Sequence, residues 1–338
     1  MSKGMAAEGG RKFAPFCSRL PDNPFLTGYH IVFPFPAFVL PMTLLSLILA
    51  LLWEQRAPLD YARWVVRPVF AWAGWLERYF NAGSYQQGIA ASLLALLVPL
   101  APLLVIYILC LDSLILIVFN VLALYLTMGF RQFSHFYTDI QMALRLDDVE
   151  RARALLSEWR GEETPARAGA GEIAQLAIET ALTASHRHVF AVIFWFALLP
   201  GPLGAVLYRI SHLVSKAWSD HGDFGAFAKE IFRYLDWLPS RVTAIAFAIV
   251  GNFEDAVFCW RNHASRWYDY ELGIVVASGA GALGIRLNSP KQVFPQGEPG
   301  AGEAAGVDSM QSATGLVWRA TLLWCLLLLL LWLARLVG

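Results

Sequence analysis

The chain is short of charge. Of its 338 residues only 15% are Asp, Glu, Lys or Arg while 57% are hydrophobic, too little polarity to solvate the two soluble domains this length would fill. Neither sign is in excess: 26 basic residues meet 26 acidic ones, and without a net field nucleic acid is excluded as a partner. Cysteine is scarce as well. Cys17, Cys110, Cys259 and Cys325 stand singly, which gives neither a disulfide framework nor a zinc knuckle and leaves them to packing. No Gly-x-x-x-x-Gly-Lys-Ser/Thr stretch is present, so a P-loop nucleotide site is excluded. GAGALG at 279–284 matches Gly-x-Gly-x-x-Gly after the strand-like IVVAS. IRLNSP follows it, however, and no alternation of strands and helices surrounds it, so dinucleotide binding is set aside.

What is abundant is uninterrupted apolar sequence. A helix crosses the hydrocarbon layer with about 20 apolar residues, and Ile31 to Trp53 and Gly83 to Leu111 carry no charge. Ser113 to Phe130 is again uncharged, which reads as a hairpin of two helices turning at Asp112. Val189 to Tyr208 is uncharged but contains PGPLG at 200–204; this breaks a helix and makes the segment enter and return. Val242 to Phe253 is short for a span and reads as re-entrant or interfacial. LLWCLLLLLLWLARLV at the end is an anchor with Arg335 at the interface. The expected fold is all-α: a polytopic integral membrane protein with about four or five crossings, re-entrant or interfacial helices, and an amphipathic helical cytoplasmic region.

The expected organisation is an N-terminal extension over 1–30, with Met42 as an alternative start, then membrane helices over 31–130. Cytoplasmic amphipathic helices and a loop follow over 131–188, a core of broken membrane helices over 189–290, a flexible polar loop over 291–316 and a terminal anchor over 317–338. Seven arginines and no lysine between Arg131 and His188 put that stretch on the cytoplasmic side of a bacterial-type inner membrane, with the chain multi-pass. Within it, Phe133, Phe136, Ile140 and Leu144 recur at helical spacing. Val149, Ala152, Leu155 and Trp159 do so again after a break at Asp147 and Asp148.

Polar residues worth a functional reading stand at the thresholds of apolar runs. Glu163, Glu172 and Glu179 are the acids of the loop and of the helix start after it. Glu172 and Glu179 share a helix face, either as magnesium-side carboxylates or as a solvated surface. His186, Arg187 and His188 open the next apolar run. The two histidines point to different sides of a helix, so the triplet reads either as an interface anchor or as ligands on extended backbone. In YLDWLPSRVTAIAFAIV, residues 234–250, Asp236 and Arg241 flank Pro239. Proline suits a first helical turn and the aspartate its positive end; Arg241 is then placed to pair with Asp236 or with an anion.

In chain order, DDVERARALLSEWRGEET, GEIAQLAIET, GPLGAVLYR, YLDWLPSRVTA and ASGAGALGIRLNSP resemble the successive motifs of the CobD/CbiB family, the adenosylcobinamide-phosphate synthases. The resemblance spans residues 42–335. It implies a membrane protein of cobalamin biosynthesis that joins a corrinoid carboxyl group to the amine of an aminopropanol compound, using ATP and magnesium. Carried onto this sequence, it makes Glu179, Arg209, Asp236 and Arg241 the expected catalytic residues, gathered in one pocket at the cytoplasmic interface. Glu163, Glu172, His186, Arg187, His188, Gly281 and Gly284 are the expected ligand-binding ones, and no resident metal site is assigned.

The chain also departs from the family. Where a polar A-E-N-T-S-D-G-like run should follow Glu179 and Thr180, the acid, asparagine and aspartate positions hold Thr183, Ala184 and Arg187. RISHLVS at 209–215 replaces an R-x-x-N-T-L-D-like stretch. The apolar FW ending, the LDW-P-R element and the terminal anchor instead resemble the family's AmpE branch. The expectation is therefore a non-synthase inner-membrane protein with a regulatory or ligand-binding role. ATP- and magnesium-dependent corrinoid amide synthesis is the alternative, and only there do ATP and magnesium enter. The expected partners are the lipid bilayer and a corrinoid or other anionic small molecule, and the apolar surface is compatible with a homodimer.

Overall fold

The computed structural model describes residues 39–57, 60–111, 113–267, 269–287 and 302–337. The N-terminal extension, the turn at Asp112 and residues 291–301 of the expected polar loop lie outside the described residues. The described chain opens with α1 (Val39–Arg56), a π-helical turn (Ala62–Val66) that runs into α2 (Arg67–Phe80), α3 (Tyr85–Leu109) and α4 (Ile115–Thr127). α5 (Phe130–Arg145) and α6 (Val149–Arg160) are the two amphipathic helices expected from periodicity. They break where Asp147 takes a left-handed φ of 60° and the Asp148 carboxylate accepts from the Arg151 N–H at 3.0 Å as the cap of α6.

α7 (Ala170–Ser185), a π-turn (His186–Phe190) and α8 (Ala191–Leu198) then run on as one helical rod. α9 (Leu203–Ala217), α10 (Gly222–Val250), α11 (Phe253–His263) and α12 (Tyr270–Leu283) follow. A two-residue parallel pair, β1 (Ile285–Arg286) with β2 (Glu303–Ala304), leads to α13 (Val307–Val337).

The all-α membrane class stands. Among the described residues three helices are long and apolar enough to cross a bilayer: Tyr85–Leu109, Ala170–Leu198 and Val307–Ala334. The expected four or five crossings thus come down to three helices of spanning length, with α1 bordering undescribed sequence and α4 and α12 too short to be counted with them. Leu97, Val105 and Leu109 on α3 are more than half exposed, an apolar surface whose natural solvent is hydrocarbon.

Four local expectations are corrected. The boundary expected at 188, between the amphipathic helices and the broken-helix core, falls inside a helical rod of spanning length that starts at Ala170, close to the helix start expected at Glu172, because AGEIAQLAIETALTAS is mostly Ala, Ile and Leu with few charges. The polar stretch expected up to 316 is helical from Val307. IVVAS is helical, inside α12.

Pro239 does not start a helix either: it lies inside the 29-residue α10. Proline leaves the carbonyl four residues back without its ladder partner. That carbonyl, Leu235 O, instead accepts from the Trp195 indole N–H of α8 at 3.0 Å. A tertiary contact therefore repairs the break that proline would make. The break at PGPLG, by contrast, is seen, since α8 ends at Leu198 and α9 begins at Leu203.

α10 is the central element and packs against α3, α9 and α12, while α13 lies on α7. The main core gathers Phe190, Tyr208, Phe247 and Val276, with Phe190 and Phe247 edge to face at 5.7 Å. Such a pair adds about 0.5–1.5 kcal/mol beyond its buried area. A second core joins Ala73 and Leu76 of α2 to Ala91, Trp218 and Phe224. These contacts hold the π-turn at His186, α9 and α10 together, and the polar centre lies among them.

Candidate functional site

A charged network is buried where α9, α10 and the His186–Phe190 π-turn meet. The π-turn adds a residue to one helical turn, a device common at functional sites. Asp236 is 1% exposed and His186 0%. Asp236 Oδ1 takes His186 Nε2 at 2.9 Å and the Tyr208 hydroxyl at 2.7 Å. The other imidazole nitrogen, Nδ1, lies 3.0 Å from the Thr243 hydroxyl. Facing an ionised carboxylate, Nε2 carries the proton, and the Thr243 hydroxyl complements whichever state Nδ1 adopts. Burial by itself disfavours the aspartate's charge, but His186, Arg187 and the Tyr208 hydrogen bond outweigh it and hold the carboxyl below its usual pKa. Tyr208 is pushed well above the ordinary tyrosine value, first by burial and then by Asp236, so it remains a donor.

Acid, imidazole and hydroxyl in sequence have the connectivity of a nucleophilic relay. Thr243, however, is 0% exposed, as is His186, and its hydroxyl has the imidazole as its partner. The chain of bonds fixes the imidazole and locks α10 to the π-turn.

Beside this network stands Arg209, 1% exposed. Its Nε and Nη2 donate to the Thr127 carbonyl, with Nε at 2.8 Å, and Nη2 lies 3.3 Å from His188 Nδ1. Among the described residues no carboxylate pairs with it within 4.0 Å. Arg209 Nη1, Asp236 Oδ2 and His212 Nδ1 are buried with no hydrogen-bond partner. His212 is held well below the usual histidine value, first by burial and then by Arg187 and Arg209. Burying polar atoms without partners carries a desolvation cost. Here they comprise a donor on a buried cation and an acceptor on a buried anion.

The expected residues distribute unevenly. Asp236, His186, Arg187, His188 and Arg209 come together, and Arg187 is ion-paired with Asp269 at 2.8 Å while its guanidinium lies over Phe232. Glu179 is close to a different side chain, its Oε1 lying 3.5 Å from the Trp267 indole nitrogen. Arg241 does not pair with Asp236: it bonds the Trp237 carbonyl and stacks 4.2 Å from that ring's centre. It does act electrostatically, with Asp236, on the buried Glu271. Glu163 and Glu172 are exposed.

Gly281 sits in α12 where a Cβ would collide with the Asp255 carbonyl, a close helix contact, and Gly284 caps α12 at a left-handed φ of 66°. The glycine pattern is therefore built for packing and capping. Tyr208, His212, Thr243, Asp269 and Glu271 were not singled out from sequence. Tyr208 sits within GPLGAVLYR beside the chosen Arg209, and Asp269 and Glu271 are acids opening an apolar run, which is the signal that marked Asp236.

The synthase reaction calls for magnesium. Among the described residues no three of His, Cys, Asp and Glu gather to hold an ion, and of the expected magnesium-side acids two are at the surface. The described side chains therefore do not fit a protein-held magnesium site.

Fold and site together define an all-helical membrane protein with a buried, charge-bearing centre between broken helices. The family follows from comparison: residues 47–334 match the family described as CobD/Cbib protein, and the chain belongs to it. It is 32% identical over 218 residues, 62% of this chain and 71% of the relative, to a cobalamin biosynthesis protein CobD of Stutzerimonas stutzeri. It is 32% identical over 219 residues, 62% and 70%, to the protein of that name in Chromobacterium violaceum. A probable cobalamin biosynthesis protein CobD of Methanothermobacter thermautotrophicus is 32% identical over 162 residues, 45% of this chain and 54% of that one. No solved structure matches the chain. These relatives carry the cobalamin name, which favours the cobalamin-biosynthesis alternative over an AmpE-like regulatory role.

Proposed function

We propose that this chain is a variant corrinoid amide synthase of cobalamin biosynthesis, multi-pass in a bacterial-type inner membrane. The observation that carries the reading is the pair of unpartnered buried groups on two family-matching segments, Arg209 Nη1 and Asp236 Oδ2. An aminopropanol phosphate presents the complements of both, an anionic group for the guanidinium and an ammonium for the carboxylate. A carboxylate of depressed pKa is a weak base, so Asp236 suits holding and orienting the amine. Arg187 and Arg209 supply positive charge for a corrinoid carboxylate or a phosphate. ATP and magnesium would supply the activation of the acid; no step here is routed through them, since the described residues do not form that site.

The test is complementation of a strain lacking its cobinamide-phosphate synthase, with Arg209→Met and Arg241→Ala beside the unaltered gene. Rescue by the unaltered gene that Arg209→Met abolishes supports amide synthesis at this centre. Failure of the unaltered, membrane-inserted protein to rescue would overturn it. The departures at Thr183, Ala184 and Arg187 would then mark a family member that binds an anionic ligand in a regulatory, AmpE-like role.

A further inference from the structure

We infer that the segment from Ala62 to Phe80 is a headgroup-binding helix that lies in the membrane interface and binds anionic phospholipid. It is amphipathic in an unusual way. Its inner face, with Ala73 and Leu76 fully buried, packs in the second core against residues of α3 and α9, and the Trp218 indole donates to the Ala73 carbonyl at 3.3 Å. The face opposite presents Trp64, Arg67, Trp75, Arg78 and Tyr79, all exposed, with Arg63 at its margin. Trp75 stacks on Trp72 at 5.3 Å and meets Tyr79 at 4.7 Å, so these three rings form one connected strip beside Arg78.

Three features identify the occupant. Tryptophan and tyrosine interleaved with arginine match the composition of the membrane–water interface, where the rings sit at headgroup level and guanidinium groups meet phosphate. The face also has no acid of its own: Glu77 turns away and pairs with His221 at 2.7 Å, and among the described residues Arg63, Arg67 and Arg78 have no carboxylate within 4.0 Å. Finally, the segment leads through a short turn into α3, whose outward residues are apolar over a spanning length, so the strip sits beside the point where that helix meets the bilayer. A second copy of the chain is a poor occupant, because a two-fold contact through this face would set arginine against arginine.

The experiment uses the full chain, its cysteines replaced, in bilayers of phosphatidylcholine alone or mixed with phosphatidylglycerol. A nitroxide is placed by Trp64→Cys, by Ala71→Cys or, as a loop control, by Glu163→Cys, and its collisions with oxygen and with a water-soluble nickel chelate are measured. The labels at 64 and 71 should lose nickel access relative to the control, more strongly in the anionic bilayer. The combined Arg63→Gln, Arg67→Gln and Arg78→Gln variant should lose that dependence on lipid charge. Nickel access equal to the control in both bilayers would overturn the inference. Protection indifferent to lipid charge, or to the arginines, would also overturn it. So would protection from both reagents with dipolar broadening between labels, which would assign the face to a homodimer.

Discussion

The middle of α10 and the start of α12 each bury a carboxylate, and they treat it in opposite ways. Asp236 receives an imidazole N–H, a phenol O–H and the field of Arg187, and its pKa falls. Glu271, 8% exposed, has its pKa raised by burial first, with Asp269 and Asp236 adding repulsion that Arg241 only partly opposes. Asp236 is the more deeply buried of the two, yet it is the one held charged; the partners decide. The fold thus keeps one buried acid charged and rigid and leaves another poised toward neutrality a helix away.

The strongest way to break the contrast is Asp236→Ala. Removing one member of a buried charged pair leaves the other uncompensated and costs about 3–5 kcal/mol, so the melting temperature in detergent should collapse; a native-like melt would show that the network does not hold α9 and α10. The pH dependence has a definite sign. Because the folded pKa of Asp236 is depressed, its contribution is present above the unfolded aspartate range and is lost as pH falls through the folded value. Asp236→Asn should flatten that acid limb.

Glu271→Gln tests the other side with the sign reversed. A raised folded pKa is a penalty in full at pH above it, and the penalty disappears once both folded and unfolded states are protonated. Glu271→Gln should therefore raise the melting temperature at neutral pH, with the gain vanishing below the unfolded glutamate range. A drop at neutral pH would place Glu271 among the stabilising charges with Asp236.

A smaller effect is expected at the proline of α10. Trp195→Phe strands the Leu235 carbonyl and should cost about 1 kcal/mol. In a Pro239→Ala background, which returns a backbone donor to that carbonyl, the same change should cost less, and a double-mutant cycle of thermal melts reads the difference.

The class of fold was open to sequence reading because apolar length and helical spacing are local quantities: α3, α5, α6, α8 and α13 follow from runs and breaks of the chain itself. Pro239 was not, since its repair comes from Trp195, 44 residues away in sequence, and no local rule carries that. The site was half visible. Asp236 and His186 were chosen as charges at apolar thresholds and Arg209 through the family resemblance, but the pairing of Asp236 with His186 depends on the π-turn, which re-aims His186 toward α10. Arg241 was read with Asp236 from proximity in sequence; five residues along a helix turn the two side chains apart, and Trp237 takes the guanidinium.

The smallest effects belong to the acids that sequence placed on the magnesium side. Glu163 and Glu172 are exposed, and Glu172 lies in the first turn of α7, where a negative charge meets the helix's positive end. Glu172→Gln should cost no more than about 0.5 kcal/mol, and Glu163→Gln should be neutral within about 0.5 kcal/mol. If the unaltered gene rescues the synthase-deficient strain, both variants should rescue it equally well. Loss of rescue by either one, with the melt unchanged, would show that surface acids are drawn into the working site. The metal-side chemistry would then belong to the 161–172 loop rather than to the buried centre.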